Sequence, residues 1–261
     1  MPMPKIELIR LRCTDPAAQR RFYCEAFGMT AFDDLTLGYP GEDARILFER
    51  AERPYAPSRR DVYWKVALSV PDLDLAYRQL TAQGVEVSAP RQVGTVAYLA
   101  HATDPEGFTV ELLDHAFEGQ RADAPIDSNR LGGGAHLNLL TLRTTDIESV
   151  KARCTAWGMQ LLAVAPVPAG AFTLYFFGPP DATLPTTDVT AVDNLTWIYQ
   201  RPYTVLEVQR PDGAPELSLP PPGQGGYAGA VVSDVDDSLP DETLRITADR
   251  PVPGRFLPRK S

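Results

Sequence analysis

An α+β fold of tandem βαβββ units, each a strand, a helix and a run of further strands, is the class this sequence predicts. Three observations predict it. An alternating strand followed by an Asp-started, Gly-stopped amphipathic helix recurs three times, the Asp-to-Gly interval is nearly constant at 13, 12 and 12 residues, and short runs rich in β-branched and aromatic residues follow each helix.

The first unit opens as KIELIRLRCTDPAAQRRFYCEAFGMT. Asp15 can cap the helix, Pro16 suits its first turn, Phe22, Tyr23, Ala26 and Phe27 share a face, and Gly28 supplies the left-handed stop. ARILFERAE follows as strand. YWKVALSVPDLDLAYRQLTAQGVEV repeats the plan, with Asp72 as start, Leu73, Ala76, Tyr77 and Leu80 at helical spacing and Gly84 as stop; VAYLAHATDPEGFTVELLD supplies its later strands. LNLLTLRTTDIESVKARCTAWGMQL is the third copy, from Asp146 to Gly158, and FTLYFFGP, NLTWIYQ and YTVLEVQ read as its strands. GYAGAVVSDVDD begins a fourth unit that is degenerate, because Pro240 follows and no helix-length pattern appears. The polar, Gly-rich stretch 117–135 reads as a linker, which divides the chain into 1–116 with two units and 136–261 with the third and the degenerate fourth. LSLPPPGQGG, 217–226, is an extended connector, since consecutive prolines exclude helix and central strand.

With 261 residues and 44% hydrophobic content the chain can bury cores without covalent staples. Its formal net charge of -9 and the lack of a Lys/Arg stripe argue against nucleic acid, and no stretch reaches the roughly 20 apolar residues that span a bilayer. Cys13, Cys24 and Cys154 have no CxxC spacing, so reduced thiols and a cytoplasmic protein are expected. No P-loop, GxGxxG, GxSxG or HExxH pattern is present.

Side chains alternate along a strand, so parity gives a cavity wall. In the first unit Ile9, Leu11 and Cys13 pack under the helix, which leaves Leu8, Arg10 and Arg12 facing in. In the second, Trp64, Val66, Leu68 and Val70 take the helix side and Lys65, Ala67 and Ser69 face in. The third gives Leu139, Thr141 and Arg143, and the strand closing the second gives Thr109, Glu111 and Leu113. The wall is basic, with one or two glutamates. His101 either caps the following turn or lines the cavity mouth; His115 and His136, flanking the linker, are expected at the surface; Tyr175, Trp197 and Tyr199 are expected in the core or the apolar wall.

Paired units of this kind, closed by DPEGFTVEL, resemble the vicinal oxygen chelate superfamily, whose motif is DPxGxxxEL; the LRCTDPAAQRRFYCEAFGMT segment and YTVLEVQ are similar to parts of its glyoxalase I members. The resemblance covers residues 5 to about 232. It implies strands curled around a cavity and a divalent ion held by a few wall side chains, the first being a His or Gln seven residues before the helix-starting Asp and the last the glutamate of the closing motif. The first-strand positions here are Leu8, Lys65, Leu139 and Tyr227, none a usual metal ligand. Glu111 matches the closing glutamate, Glu207 matches the one in YTVLEVQ, and Glu49, or Phe48 after a one-residue shift, matches the place in the first unit.

An ammonium at the imidazole position repels an ion, so no cofactor is expected and a divalent metal is disfavoured. In that reading Lys65 pairs with Glu111, Lys65 polarises a substrate carbonyl and Glu111 moves a proton. Arg12 and Arg143, which resemble the glyoxalase arginine that grips a carboxylate, bind substrate with Arg10, Ser69, Glu207 and His101. The expected function is that of a lyase or isomerase acting on a small oxygenated, anionic metabolite. The alternatives are a non-catalytic small-molecule or antibiotic-binding resistance protein and a metal-dependent glyoxalase or dioxygenase with displaced ligands. The cavity forms either within residues 5–115 or between the second and third units, and the chain acts as a monomer or homodimer.

Overall fold

The computed structural model describes residues 3–41, 43–213, 216–233 and 244–248. Strand β1 (Lys5–Cys13) leads into helix α1 (Pro16–Ala26), followed by β2 (Thr30–Ala31), β3 (Thr36–Gly38) and β4 (Arg45–Arg50). The second unit is β5 (Tyr63–Val70), α2 (Leu73–Ala82), β6 (Arg91–Val93), β7 (Ala97–Thr103) and β8 (Thr109–Asp114). The third is β9 (His136–Arg143), α3 (Ile147–Ala156), β10 (Gln160–Val167), β11 (Phe172–Gly178), α4 (Asp193–Ile198) and β12 (Val205–Pro211); β13 (Gly226–Ser233) and β14 (Ile246–Ala248) complete the described chain.

The three long helices start where the repeated aspartates place them. Asp15, Asp72 and Asp146 accept the N–H groups of Ala18, Leu75 and Ser149 at 3.0, 2.9 and 3.1 Å, satisfying donors that the first helical turn leaves without partners. Gly28, Gly84 and Gly158 follow the helix ends with φ of 70°, 76° and 78°.

Strand pairing does not follow the division at 117–135. One sheet has the order β14-β13-β1-β4-β3-β2 and the other β10-β11-β12-β9-β5-β8-β7-β6. The second and third units therefore share one eight-stranded sheet, joined by the antiparallel β5–β9 pair, while β13 returns to pair with β1. The start of the expected fourth unit is β13; Pro240 lies outside the described residues. The linker is strapped to α2, where Asp72 N–H donates to the Gly132 carbonyl at 2.9 Å and Gln79 Oε1 accepts from Gly132 N–H at 2.8 Å.

NLTWIYQ is the helix α4 rather than a strand. Its aromatic and β-branched residues carry strand propensity, but Leu195, Ile198 and Tyr199 are buried at helical spacing, and the Asn194 amide donates to the Leu162, Thr186 and Asp188 carbonyls, fixing the preceding loop.

Two cores lie on opposite faces of the eight-stranded sheet. Val66, Leu68 and Leu140 join Ile9, Leu11 and Phe48 of the other sheet in the larger one, while Ala67, Leu99, Leu113, Leu139 and Phe176 form the smaller. Consecutive residues of β5 thus fall alternately into the two clusters, as strand parity requires. No helix among the described residues is long and apolar enough to cross a membrane.

Candidate active site

The inner face of the eight-stranded sheet borders a cavity of about 500 Å³ with mostly apolar walls, including Val93, Leu99, Leu113 and Leu174. Lys65, Glu111, His101 and Glu207 line it as well. Four strands position the polar groups: β5 carries Lys65, β8 Glu111, β12 Glu207 and β9 Thr141, with Lys65 opposite Thr141 on β9 and Glu207 beside Thr141 on β12.

Lys65 Nζ lies 2.6 Å from Glu111 Oε2 and 3.1 Å from Glu207 Oε1, and it donates to Thr141 Oγ1 at 2.9 Å. Lys65, Glu111 and Glu207 are only 1, 4 and 2% exposed, so their charges must be compensated locally. An ammonium has three protons, and here three oxygens take them. His101 stands opposite Glu111 on β7, its Nε2 3.3 Å from Glu111 Oε1 and its ring partly exposed at the cavity.

The two carboxylates are not equivalent. Burial pushes Glu111 up, but the closer Lys65 ammonium and His101 outweigh it and hold the group down at about 2. Burial pushes Glu207 up as well; Lys65 pulls it down and ionised Glu111 pushes it up again, leaving it above the ordinary carboxylate range. For Lys65, burial disfavours the charge, yet the two carboxylates overcome that and raise it. One ammonium against two carboxylates leaves a negative remainder, so Glu207 is the group that takes up a proton.

Parity missed Trp64, which it assigns to the helix side. The β5–β9 register shifts between Tyr63 and Lys65, and that irregularity turns Trp64 to the cavity side, where Lys65 Nζ is 4.6 Å from its ring centroid and Phe172 meets its edge at 6.1 Å. A pairing irregularity depends on the partner strand, so β5 alone carries no signal for it. Trp64 and Phe172 also border a second cavity of about 650 Å³, reached by Arg143 and Arg59. Arg143 stacks 5.3 Å from Trp64 and is held by Gln209 Oε1 at 2.9 Å.

Ser69 does not line the cavity: its hydroxyl donates to the Tyr199 carbonyl, and Tyr199, itself a wall residue, donates to the Val96 carbonyl. Arg10 and Arg12 are not brought here at all. Their strand belongs to the other sheet, where Arg10 binds Glu49 through Nε and Nη2 at 2.8 and 2.6 Å; parity chooses the face of a strand, not its sheet. Glu49 is not the counterpart of Glu111 either. Glu111 pairs in register with Ala67 and Glu207 with Thr141, each partner five residues before its helix-starting aspartate, and the same position in the first unit pairs Arg10 with Leu47. The DPEG turn is structural: Asp104 accepts the N–H groups of Glu106, Gly107 and Phe108 with one oxygen, and Gln19 and Tyr23 of α1 with the other.

Residues 5–112 match the model of the Glyoxalase/Bleomycin resistance protein/Dioxygenase superfamily. Over that stretch the chain is similar to that superfamily. Glyoxalase I of Saccharomyces cerevisiae is 23% identical over 203 residues, covering 64% of this chain and 61% of the yeast protein, so under two thirds of that relative is spanned. The solved glyoxalase I of Zea mays has a TM-score of 0.62 at 22% identity, covering 88% of this chain and 74% of the maize protein. A putative dioxygenase of Bacillus subtilis has a TM-score of 0.51 at 16% identity, over 89% and 71% of the two chains. Both structures share this chain's fold.

These relatives overturn the expectation that no cofactor is needed, because glyoxalase I homologues are metal-dependent. Glu111, Glu207 and His101 are the side chains here that offer donors to an ion. Lys65 and Leu139 hold the first-strand positions, however, and the ammonium lies within reach of both carboxylates. As arranged, this donor set does not fit an ion.

Proposed function

We propose that the chain is a lyase or isomerase that moves a proton on a small oxygenated, anionic metabolite, with Glu207 as the proton carrier. The observation that supports this best is the cluster of Lys65, Glu111 and Glu207 on an otherwise apolar cavity wall. Glu111, held ionised by Lys65 and His101, fixes the ammonium. Glu207, raised by burial and by its neighbour, is the member of the pair that takes up a proton first. When Glu207 is protonated its hold on Nζ weakens, and an ammonium N–H turns to the oxygen of a bound carbonyl compound. Arg143, which has no carboxylate partner among the described residues, supplies a charge for the substrate's anionic end. The same reading has the chain working in the cytoplasm as a monomer or homodimer.

A panel of small 2-oxo and 2-hydroxy acids and aldehydes in D2O tests this, with exchange of the carbon-bound proton followed by NMR. Wild type is expected to exchange at least one compound, and Glu207→Gln is expected to lose that exchange by 100-fold or more while still binding it. Exchange that survives in Glu207→Gln defeats the assignment. A second reading, a small-molecule binding protein, is favoured by one observation: all three ammonium protons already have protein acceptors. Saturable binding of a panel compound with no exchange in any of them supports that reading instead.

A further inference from the structure

His115 and His136, expected at the surface, are half-buried neighbours away from the cavity. His115 directly follows β8 and His136 opens β9; their ring centroids are 5.8 Å apart with planes inclined by 57°. Neither ring is paired with a carboxylate in the described residues. His115 Nε2 is buried and has no hydrogen-bond partner among the described residues. His136 Nε2 faces the Asn138 amide nitrogen at 3.4 Å, so the bond its ring makes to the Arg201 backbone falls to the other ring nitrogen and leaves Nε2 as a lone pair. Asn138, fully buried, donates to the Ile198 carbonyl at 3.0 Å, and its Oδ1 is a second buried atom without a described partner.

We propose that His115 and His136, with Asn138 Oδ1 as a third donor, form a site for a borderline divalent ion of the zinc, nickel or copper type. Imidazole nitrogen is the ligand such ions favour, and a backbone bond at the far nitrogen of a ligating histidine is the usual device that fixes its tautomer. The ring spacing suits such an ion, since with metal–nitrogen distances of about 2 Å, two imidazoles on one tetrahedral centre have centroids roughly 5 Å apart. The observed centroid separation of 5.8 Å is close to that spacing. This site uses no residue of the proposed catalytic cluster, and its test is independent of turnover.

The chain has three histidines, so the imidazole nitrogens of His101, His115 and His136 can be resolved in a long-range 1H–15N spectrum of the wild-type protein and assigned with His101→Gln. Adding zinc at pH 7 is expected to shift the His115 and His136 nitrogens together, saturating at one equivalent. His115→Gln, checked for folding by circular dichroism, is expected to weaken that binding at least 100-fold. Zinc that leaves this pair unmoved, or that moves only His101, overturns the site; so does binding undiminished in folded His115→Gln. A bridging water between the same atoms predicts the unmoved pair.

Discussion

Lys65 carries the balance of the buried cluster, because removing it leaves Glu111 and Glu207 facing one another at 4 and 2% exposure. In Lys65→Met, one partner of a buried ion pair is gone and the others stay desolvated, a loss on the order of 3 to 5 kcal/mol at pH 7. The pH dependence has a definite sign. Glu111 is held down at about 2 in the wild type, so its contribution is fully present above the ordinary carboxylate range and is lost as pH falls toward 2. In the variant both carboxylates take up protons readily on acidification. The stability gap measured by urea unfolding is therefore expected to narrow between pH 7 and pH 4; a constant gap would show that lost packing, not charge, dominates. At this scale the sequence is legible where face alone matters. Lys65, Thr141 and Glu111 follow from alternation, and Glu207 from the resemblance of YTVLEVQ to a glyoxalase strand. Arg10 and Arg12 escape that logic because the pairing of β1 with β13 is a contact between chain ends that no local pattern encodes.

At the scale of elements the helices are the most readable, since their start and stop signals are chemical and local. Two glycines beside α2 are expected to respond differently to alanine. Gly84 has a φ of 76° and open space where a Cβ would be, so Gly84→Ala costs only the left-handed backbone, about 1 to 2 kcal/mol. At Gly132, with a φ of 53°, an added Cβ would stand 2.6 Å from Val70 Cβ and 2.9 Å from the Asp72 carbonyl oxygen, both parts of the packed β5–α2 junction. Gly132→Ala is expected to lose more than Gly84→Ala by at least about 1 kcal/mol, because overpacking adds to the backbone term. Equal losses in paired unfolding measurements would mean that the linker simply moves aside. Helix α4 shows the limit of composition: its aromatic residues fit a strand, and only the spacing of Leu195, Ile198 and Tyr199 betrays a helix.

For the whole molecule, what the sequence does not show is how the two sheets are fastened, because the fasteners join residues far apart in the chain. Asp43 Oδ2 accepts the N–H of Leu137 at 2.9 Å, and Asp104 ties the DPEG turn to Gln19 and Tyr23 of α1. Burial is the main influence on both carboxyls and pushes each up to about 6, against the hydrogen bonds that favour the ionised form. A folded-state value raised above the unfolded one means that the native state binds the proton first as pH falls. Each group therefore adds stability as pH drops from above 6 toward 4, opposite in sign to Glu111. In Asp43→Asn the amide oxygen still accepts from Leu137 but no charge has to be buried. The variant is expected to be more stable than wild type at pH 7.5 by about 2 kcal/mol, from a shift of roughly two units at 1.36 kcal/mol each with allowance for partial exposure. By pH 3.5, where the wild-type carboxyl is protonated in the native state and mostly protonated in the unfolded one, the advantage should largely vanish. Urea midpoints at the two pH values decide it: a variant less stable than wild type at pH 7.5 would mean that the ionised carboxylate's bond to Leu137 outweighs the cost of its burial.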